Sequence, residues 1–389
     1  MKGPTTIKGY NHHFIINQKS KKLIIFFTGT GAQPGHFFFY KAGQQLDCNI
    51  LFINNGLNQW YQEGIPSLGT KTLSDTINIL KDWIEYLNID DVYTCGASMG
   101  AYGAILYGCY LNVNVLAFGP ELTLLEEGSR SISYIQKDQK IHFNLLEIIK
   151  LSKNKIYIYV GEDDPIDIYQ ASKIPSHKDF NNVMIHSVIG VKHSVGQHLK
   201  NQNMLLLFLE NFINDKELPI IKEEGRACTI NNFPQAYYKQ FQEFKAKNWD
   251  KSIYYGIKAT NKYPTSAYAQ NMLGMAYLSS GDSSKALAPL SIARSCNPTN
   301  LDYQFSVANY MRRIGMLERA RYLHYKILQI DKDFANSHYD LGILCSKLND
   351  GKNALSRIRR AYKLEPTNAS FKKQVANFEK RFITLSKEQ

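Results

Sequence analysis

From residue 22 onward, short apolar runs rich in β-branched and aromatic residues alternate with stretches of helical periodicity. The runs "KLIIFFTG" (22–29), "NILFINN" (49–55), "DVYTCG" (91–96), "VNVLAFGP" (113–120), "KIYIYVGE" (155–162) and "NVMIHSVI" (182–189) predict buried strands. Between and after them "TLSDTINILKDWIEYLNI" (72–89), "MGAYGAILYGCYL" (99–111) and the amphipathic "HLKNQNMLLLFLENFI" (198–213) predict helices. Uninterrupted apolar strands that alternate with helices predict a mostly parallel sheet covered by helices on both faces.

Past residue 230 the periodicity becomes helical throughout and repeats every 34 residues. Ala286, Ala320 and Ala354 fall in register, with Ser252 one period earlier. Gly274, Ala308 and Gly342 form a second column, and Ala259, Ala293 and Ala361 a third, with Ile327 as its exception. Pro264, Pro298 and Pro366 mark unit boundaries, Lys332 standing at the remaining one. Small residues let antiparallel helices approach closely, and a proline just past a helix end breaks no hydrogen bond. This pattern resembles the tetratricopeptide repeat, which implies an all-α solenoid of about four units over 231–365, closed by a polar helix near 366–386. Two domains are therefore predicted, 1–229 and 230–389, as a length of 389 residues also suggests.

Charge sharpens the division. Residues 230–389 hold 25 Lys+Arg against 12 Asp+Glu, whereas residues 1–229 hold 21 against 22. The excess in the repeats, including Arg312, Arg313, Arg319, Arg321, Arg357, Arg359 and Arg360, reads either as a solvated face or as a surface for an acidic protein, an anionic polysaccharide or a membrane surface. No nucleic-acid-binding motif accompanies it. The six cysteines lie far apart and predict reduced thiols with no metal site. No run is long and apolar enough to cross a membrane, and the first residues lack a signal-type apolar core, so a cytoplasmic protein is predicted.

In such sheets ligands bind beyond the carboxyl ends of the strands. The loop after "DVYTC" reads Gly96-Ala97-Ser98-Met99-Gly100, a nucleophile-elbow spacing in which a helix follows the serine at once. The helix start places the Met99 amide beside any oxyanion formed at Ser98. The loop after "KIYIYVGE" offers acids, of which Asp164 is preferred as the partner of a catalytic histidine, with Asp163 and Asp167 as competitors. A general base is expected in the loop after the last strand, where His193 stands; His186 within that strand and His198 on the following helix read as structural.

The order Ser98, Asp164, His193 follows that of the α/β-hydrolases, and residues 20–215 resemble that superfamily. The resemblance implies a second oxyanion donor from "FFTGTGAQPG", at Thr30 or Gly31. It implies acyl transfer through a serine ester with no bound cofactor, either as an esterase or as an acyltransferase. "GASMGAYGAILYG" followed by "AFGPELTL" is similar to bacterial proteins of surface-polysaccharide O-acetylation, which implies a carbohydrate or small ester substrate and acetyl-CoA as a possible acyl donor. The rival expectation is an inactive hydrolase-like scaffold whose repeats serve as an adaptor for other proteins. The aromatic runs at 36–40 and 59–61 read either as core or as a substrate-stacking surface.

Overall fold

In the computed structural model, which describes residues 5–56, 58–135, 144–174 and 180–385, the chain divides into two compact units, Met1–Tyr238 and Lys239–Gln389. Ser386, the last residue of the expected closing helix, lies outside the described residues.

The six expected strands are all present. They are β3 (Lys22–Phe27), β4 (Asn49–Ile53), β5 (Asp91–Ala97), β6 (Asn114–Phe118), β7 (Ile156–Gly161) and β8 (Val183–Val188). They form a parallel block in the order β4-β3-β5-β6-β7-β8. Three strands not expected from the sequence border it. Antiparallel β2 (His12–Ile16) pairs with β4 and β1 (Thr5–Lys8) with β2, and the two-residue β9 (Glu224–Gly225) pairs with β8. Side chains alternate across the sheet, so one strand supplies two cores. Ile24 and Phe26 of β3 join a cluster with Val195 and Leu199 of α6 (Val195–Asn201) and with Phe208, Leu209 and Phe212 of α7 (Leu205–Ile213), beside the short α1 (Tyr40–Gly43). On the opposite face Phe27 meets Tyr61 and Tyr107 at ring-centroid distances of 5.1 and 5.0 Å.

Helix α2 (Leu73–Tyr86) starts at a capping box: the Thr72 hydroxyl accepts from Asp75 N, and the Asp75 carboxylate accepts from Thr72 N. Helix α3 (Met99–Leu111) is apolar around its whole circumference and buried from Met99 to Gly108. The predicted amphipathic stretch at 198–213 is split between α6 and α7, because Asn203 turns the chain at φ 58°. Two short helices, α4 (Leu146–Leu151) and α5 (Pro165–Ala171), flank β7 in sequence.

The remaining helices come in pairs: α8 (Phe233–Lys245) with α9 (Trp249–Lys262), α10 (Ala267–Ser280) with α11 (Ser283–Cys296), α12 (Leu301–Arg313) with α13 (Leu317–Ile330), and α14 (Ala335–Lys347) with α15 (Gly351–Leu364). A single closing helix, α16 (Ala369–Leu385), follows them. First helices begin at 233, 267, 301, 335 and 369, and second helices at 249, 283, 317 and 351, a period of 34 in both series. The small-residue columns mark the closest approaches. A Cβ at Gly274 would lie 2.5 Å from Leu290 Cγ, and one at Gly342 would lie 2.5 Å from Ile358 Cγ1.

The pair α12 and α13 breaks this rule, with Ala308 in place of the glycine and His324 in place of the aliphatic partner. His324 is completely buried, and its Nδ1 lies 3.2 Å from the Ser337 hydroxyl. Burial first and the nearby Arg312 charge second hold its pKa down at about 4. A histidine depressed in this way contributes stability that is present above its unfolded value near 6.5 and lost as the pH falls toward 4. Urea unfolding of the chain is expected to show a loss of about 2 kcal/mol between pH 7 and pH 5 that is absent from His324→Leu. An unchanged pH dependence in the variant would assign that loss to other groups.

Candidate active site

Ser98 sits between β5 and α3 with φ 57° and ψ −124°, a strained conformation for a residue other than glycine. Its N–H donates to Phe118 O of β6 at 2.8 Å, and its carbonyl accepts from Ala101 N, so the backbone is held while the side chain stays half-exposed. The flanking glycines have separate steric reasons. A Cβ at Gly96 would lie 2.0 Å from Gly100 O, and one at Gly100 would lie 2.1 Å from Phe27 O at the end of β3. Only hydrogen fits at either place. Met99, the first residue of α3, has no acceptor for its N–H within the helix.

His193 stands in the loop between β8 and α6. Its Nδ1 lies 2.9 and 3.0 Å from the two carboxylate oxygens of Asp167, which is fully buried. The carboxylate therefore fixes the ring with a proton on Nδ1 and leaves Nε2 as the free base. That Nε2 atom is buried and, among the described residues, has no hydrogen-bond partner.

The acid beside His193 is thus Asp167, which corrects the preference for Asp164. Asp164 is the N-cap of α5: its Oδ1 accepts from Ile166 N at 3.1 Å and from Asp167 N at 3.0 Å, and its Oδ2 receives Arg130 Nη2 at 2.5 Å. Pro165 fixes the first helical residue, and Asp167 then falls on the inner side of the first turn. The dipeptide Asp164-Pro165 is the signal that carried this information, since aspartate before proline marks a helix start and commits the aspartate to capping. Asp163 is buried in the same turn, its N–H bound to Val191 O at 2.9 Å. His186 and His198 lie apart from this arrangement. His186 Nδ1 meets Glu224 at 2.7 Å, and His198 Nε2 lies 3.9 Å from Glu223.

Two further residues were not found from sequence. Arg130 places Nη1 3.0 Å from Asp167 Oδ1 while bridging to Asp164, and Glu121 holds its segment by accepting from Arg130 N at 2.6 Å and Ser131 N at 3.2 Å. Gly119 turns with φ 63° beneath the pair, and a Cβ there would lie 2.9 Å from both Asp167 Oδ2 and His193 Nδ1. Neither Arg130 nor Glu121 belongs to a recognisable motif, because each acts only through contacts across the fold. Donor atoms of Asp164, Asp167 and His193 lie within 4.8 Å of one another, but the Arg130 guanidinium already sits on both carboxylates.

The charges act on one another. Burial pushes the Asp167 carboxyl up, but His193 and Arg130 together outweigh it and hold the group below its ordinary value. Burial disfavours the His193 imidazolium, and Asp167 more than offsets this, raising His193 above the usual histidine value. Asp164 is raised by burial and then by the neighbouring Asp167 charge.

Ser98 and His193 line the same cavity, of about 1030 Å³. Phe37, Phe38, Phe39 and Tyr40 form one wall, so the run at 36–40 faces this space. Trp60 and Tyr61 of the second aromatic run are buried in the core, where the Tyr61 hydroxyl donates to Thr28 O at 2.7 Å. The loop after β3 passes the serine turn at Gly29, where a Cβ would lie 3.0 Å from Ala97 O. Of the two residues expected to supply a second oxyanion donor, Gly31 is exposed and its N–H is bound to Asn58 Oδ1 at 3.1 Å, which takes it out of that role. Thr30 is half-buried and, like Gly31, is not part of the cavity wall.

No protein-family profile matches the chain, and no curated protein matches it. Among solved structures, the thermophilic tetratricopeptide-repeat protein TTC0263 of Thermus thermophilus is 15% identical, covering 47% of this chain and 95% of that one, with a TM-score of 0.35. YrrB, a repeat protein described as having an unusual peptide-binding site, is 16% identical over 47% of this chain and 88% of its own, with a TM-score of 0.33. The MamA protein is 13% identical over 38% of this chain and 81% of its own, with a TM-score of 0.33. The helix pairs of the C-terminal unit repeat with a period of 34 residues, the length of a tetratricopeptide-type helix–turn–helix unit. Among the described residues no helix is long and apolar enough to cross a membrane.

Proposed function

We propose that the N-terminal unit is a serine acyl-enzyme of the α/β-hydrolase type, with Ser98 as nucleophile, His193 as general base and Asp167 as the acid that orients it. The observation that carries this reading is the His193 Nε2 atom, buried and unpartnered among the described residues, on a ring backed by a buried carboxylate and lining the same cavity as a serine on a strained strand-to-helix turn. The strand order and the glycines packed around the turn support it.

The chemistry follows from these groups. His193 Nε2 takes the Ser98 proton as the oxygen bonds to an ester or thioester carbonyl, and the imidazolium formed is stabilised by Asp167. The tetrahedral oxyanion would form beside the N-terminus of α3, where the Met99 N–H, without an acceptor inside the helix, is the proposed donor to it. Collapse breaks the bond to the leaving alcohol or thiol, which takes the proton from His193. Water then releases the acyl group in an esterase, whereas a sugar hydroxyl would carry it away in an O-acyltransferase using a donor such as acetyl-CoA. A fluorophosphonate probe is expected to label the wild-type chain, with the mass increase on the peptide that contains Ser98. Absence of labelling, or labelling of another serine, would refute the assignment.

A second reading concerns the other unit. The tetratricopeptide-type pairs, carrying the basic excess, fit a surface that holds an acidic protein segment; Lys332, His338 and Arg357 share a recess of about 360 Å³ with Tyr325. In the adaptor form of this reading the Ser98 centre is silent, and the labelling experiment separates the two.

A further inference from the structure

The cavity that holds Ser98 and His193 has a charge pattern the triad does not require. Lys8 at the end of β1, Lys41 on α1 and Lys200 on α6 all reach its lining, and among the described residues no aspartate or glutamate does. Three separate elements thus bring a cation to one site. All three lysines are exposed, and among the described residues no carboxylate pairs with any of them. This is not a by-product of general basicity, because the first 229 residues carry 21 Lys+Arg against 22 Asp+Glu. Three charges drawn at random from such a balanced set would all be positive only about one time in eight. His13, in the same lining, is held below the ordinary histidine value first by burial and then by the Lys8 charge, so it contributes a neutral polar edge.

Size points the same way. An acetyl group with a small alcohol fills a minor part of about 1030 Å³, which is at the upper end for sites that enclose drug-sized ligands. The remaining space has an aromatic wall, from Phe37 to Tyr40, and a cationic lining. A like-signed cluster beside a low-dielectric wall concentrates ligands of opposite charge and retains them by charge-assisted hydrogen bonds.

We infer that the acyl-enzyme site takes an anionic substrate, an ester or thioester whose non-reacting part carries a phosphate or carboxylate group held by Lys8, Lys41 and Lys200. This rests on the acyl-enzyme reading above for the chemistry, but the anion site itself does not depend on turnover. Two measurements on the full-length chain therefore test it. The first compares acetate esters that share one acyl group: neutral 4-nitrophenyl acetate, 4-acetoxybenzoate and 4-acetoxyphenyl phosphate. In the triple variant Lys8→Gln/Lys41→Gln/Lys200→Gln the ratio of kcat/KM for an anionic ester to that for the neutral one is expected to fall about tenfold or more, and 0.5 M salt should compress the wild-type ratio similarly. The larger fall identifies phosphate or carboxylate as the preferred anion. The second is calorimetric binding of phenyl phosphate and of benzoate, which cannot be acylated or cleaved at Ser98. Binding to wild type that weakens about tenfold in the triple variant supports the anion site even if no ester is turned over, in which case the acyl-enzyme reading fails alone. Labelling of Ser98 with an unchanged ester ratio and no lysine-dependent binding overturns the anion site and leaves the acyl-enzyme reading in place. The replaced side chains are exposed, so an unaltered melting temperature should accompany either result.

Discussion

Ser98→Ala is expected to lower turnover of a reactive aryl ester by about 10⁴-fold or more, with the melting temperature essentially unchanged. The size follows from what the hydroxyl does: without it no acyl-enzyme forms, and only binding and oxyanion stabilisation remain to act on attack by water. Fold stability should survive because the Ser98 side chain makes no cap bond to α3 and is half-exposed. Alanine also keeps the positive φ as an existing cost and adds no bulk between Gly96 and Gly100. Stopped-flow or plate assays with 4-nitrophenyl acetate would measure it, and retention of more than a tenth of the wild-type rate would remove Ser98 from the mechanism.

The second large effect separates two carboxylates three residues apart. Asp167→Asn should cost on the order of 10⁴ in kcat, because an amide in that place can accept or donate and so no longer selects the Nδ1-protonated ring. Asp164→Asn should stay within about tenfold, since asparagine caps a helix as well as aspartate does and Asp164 makes no contact with the imidazole among the described hydrogen bonds. The pH profile supplies an independent signature. The base must be neutral, so activity rises as the pH passes upward through the His193 value, which Asp167 raises. Removing that charge leaves burial and Arg130 to dominate, both of which disfavour the imidazolium, and the acid limb should move to lower pH. Equal damage from both substitutions would show that Arg130 and the two acids work as one unit rather than as acid and cap. The stability linkage has two sides. The lowered Asp167 contributes stability that is present above its unfolded value and lost as the pH falls through its folded one. The raised His193 contributes stability that is present below its unfolded value and lost as the pH rises through its folded one.

These two carboxylates also show where reading a sequence reaches its limit. The strand, turn and helix around Ser98 were legible because each depends on neighbours in sequence: a β-rich run, small residues that only a tight turn needs, and an apolar stretch that starts at Met99 in the structure as in the pattern. The parallel strands from β3 to β8 were legible for the same reason, as was the period of 34 in the helical unit. The antiparallel border was not, because β1 and β9 have four and two residues and owe their existence to a partner rather than to their own composition. The acid beside His193 fell between the two cases. The loop was legible, but the choice within Asp163, Asp164 and Asp167 depended on which side chain the start of α5 would use up. Arg130 and Gly119 gave no local sign at all, since one is defined by what it bridges and the other by what a methyl group would strike.

Helix α3 has a consequence beyond the placement of a serine. Its first ten residues are buried, and it lies against β3, β5 and β6 at once, so no partial opening can release it while the sheet stays intact. Its amide protons should therefore exchange only through complete unfolding of the N-terminal unit, and Ser98, the proposed nucleophile, stands directly before this slowly exchanging element. If the proposed acyl-enzyme chemistry holds, recovery of fluorophosphonate labelling at Ser98 after denaturation would then report the arrival of the whole native sheet, and would serve as a folding clock read at a single residue.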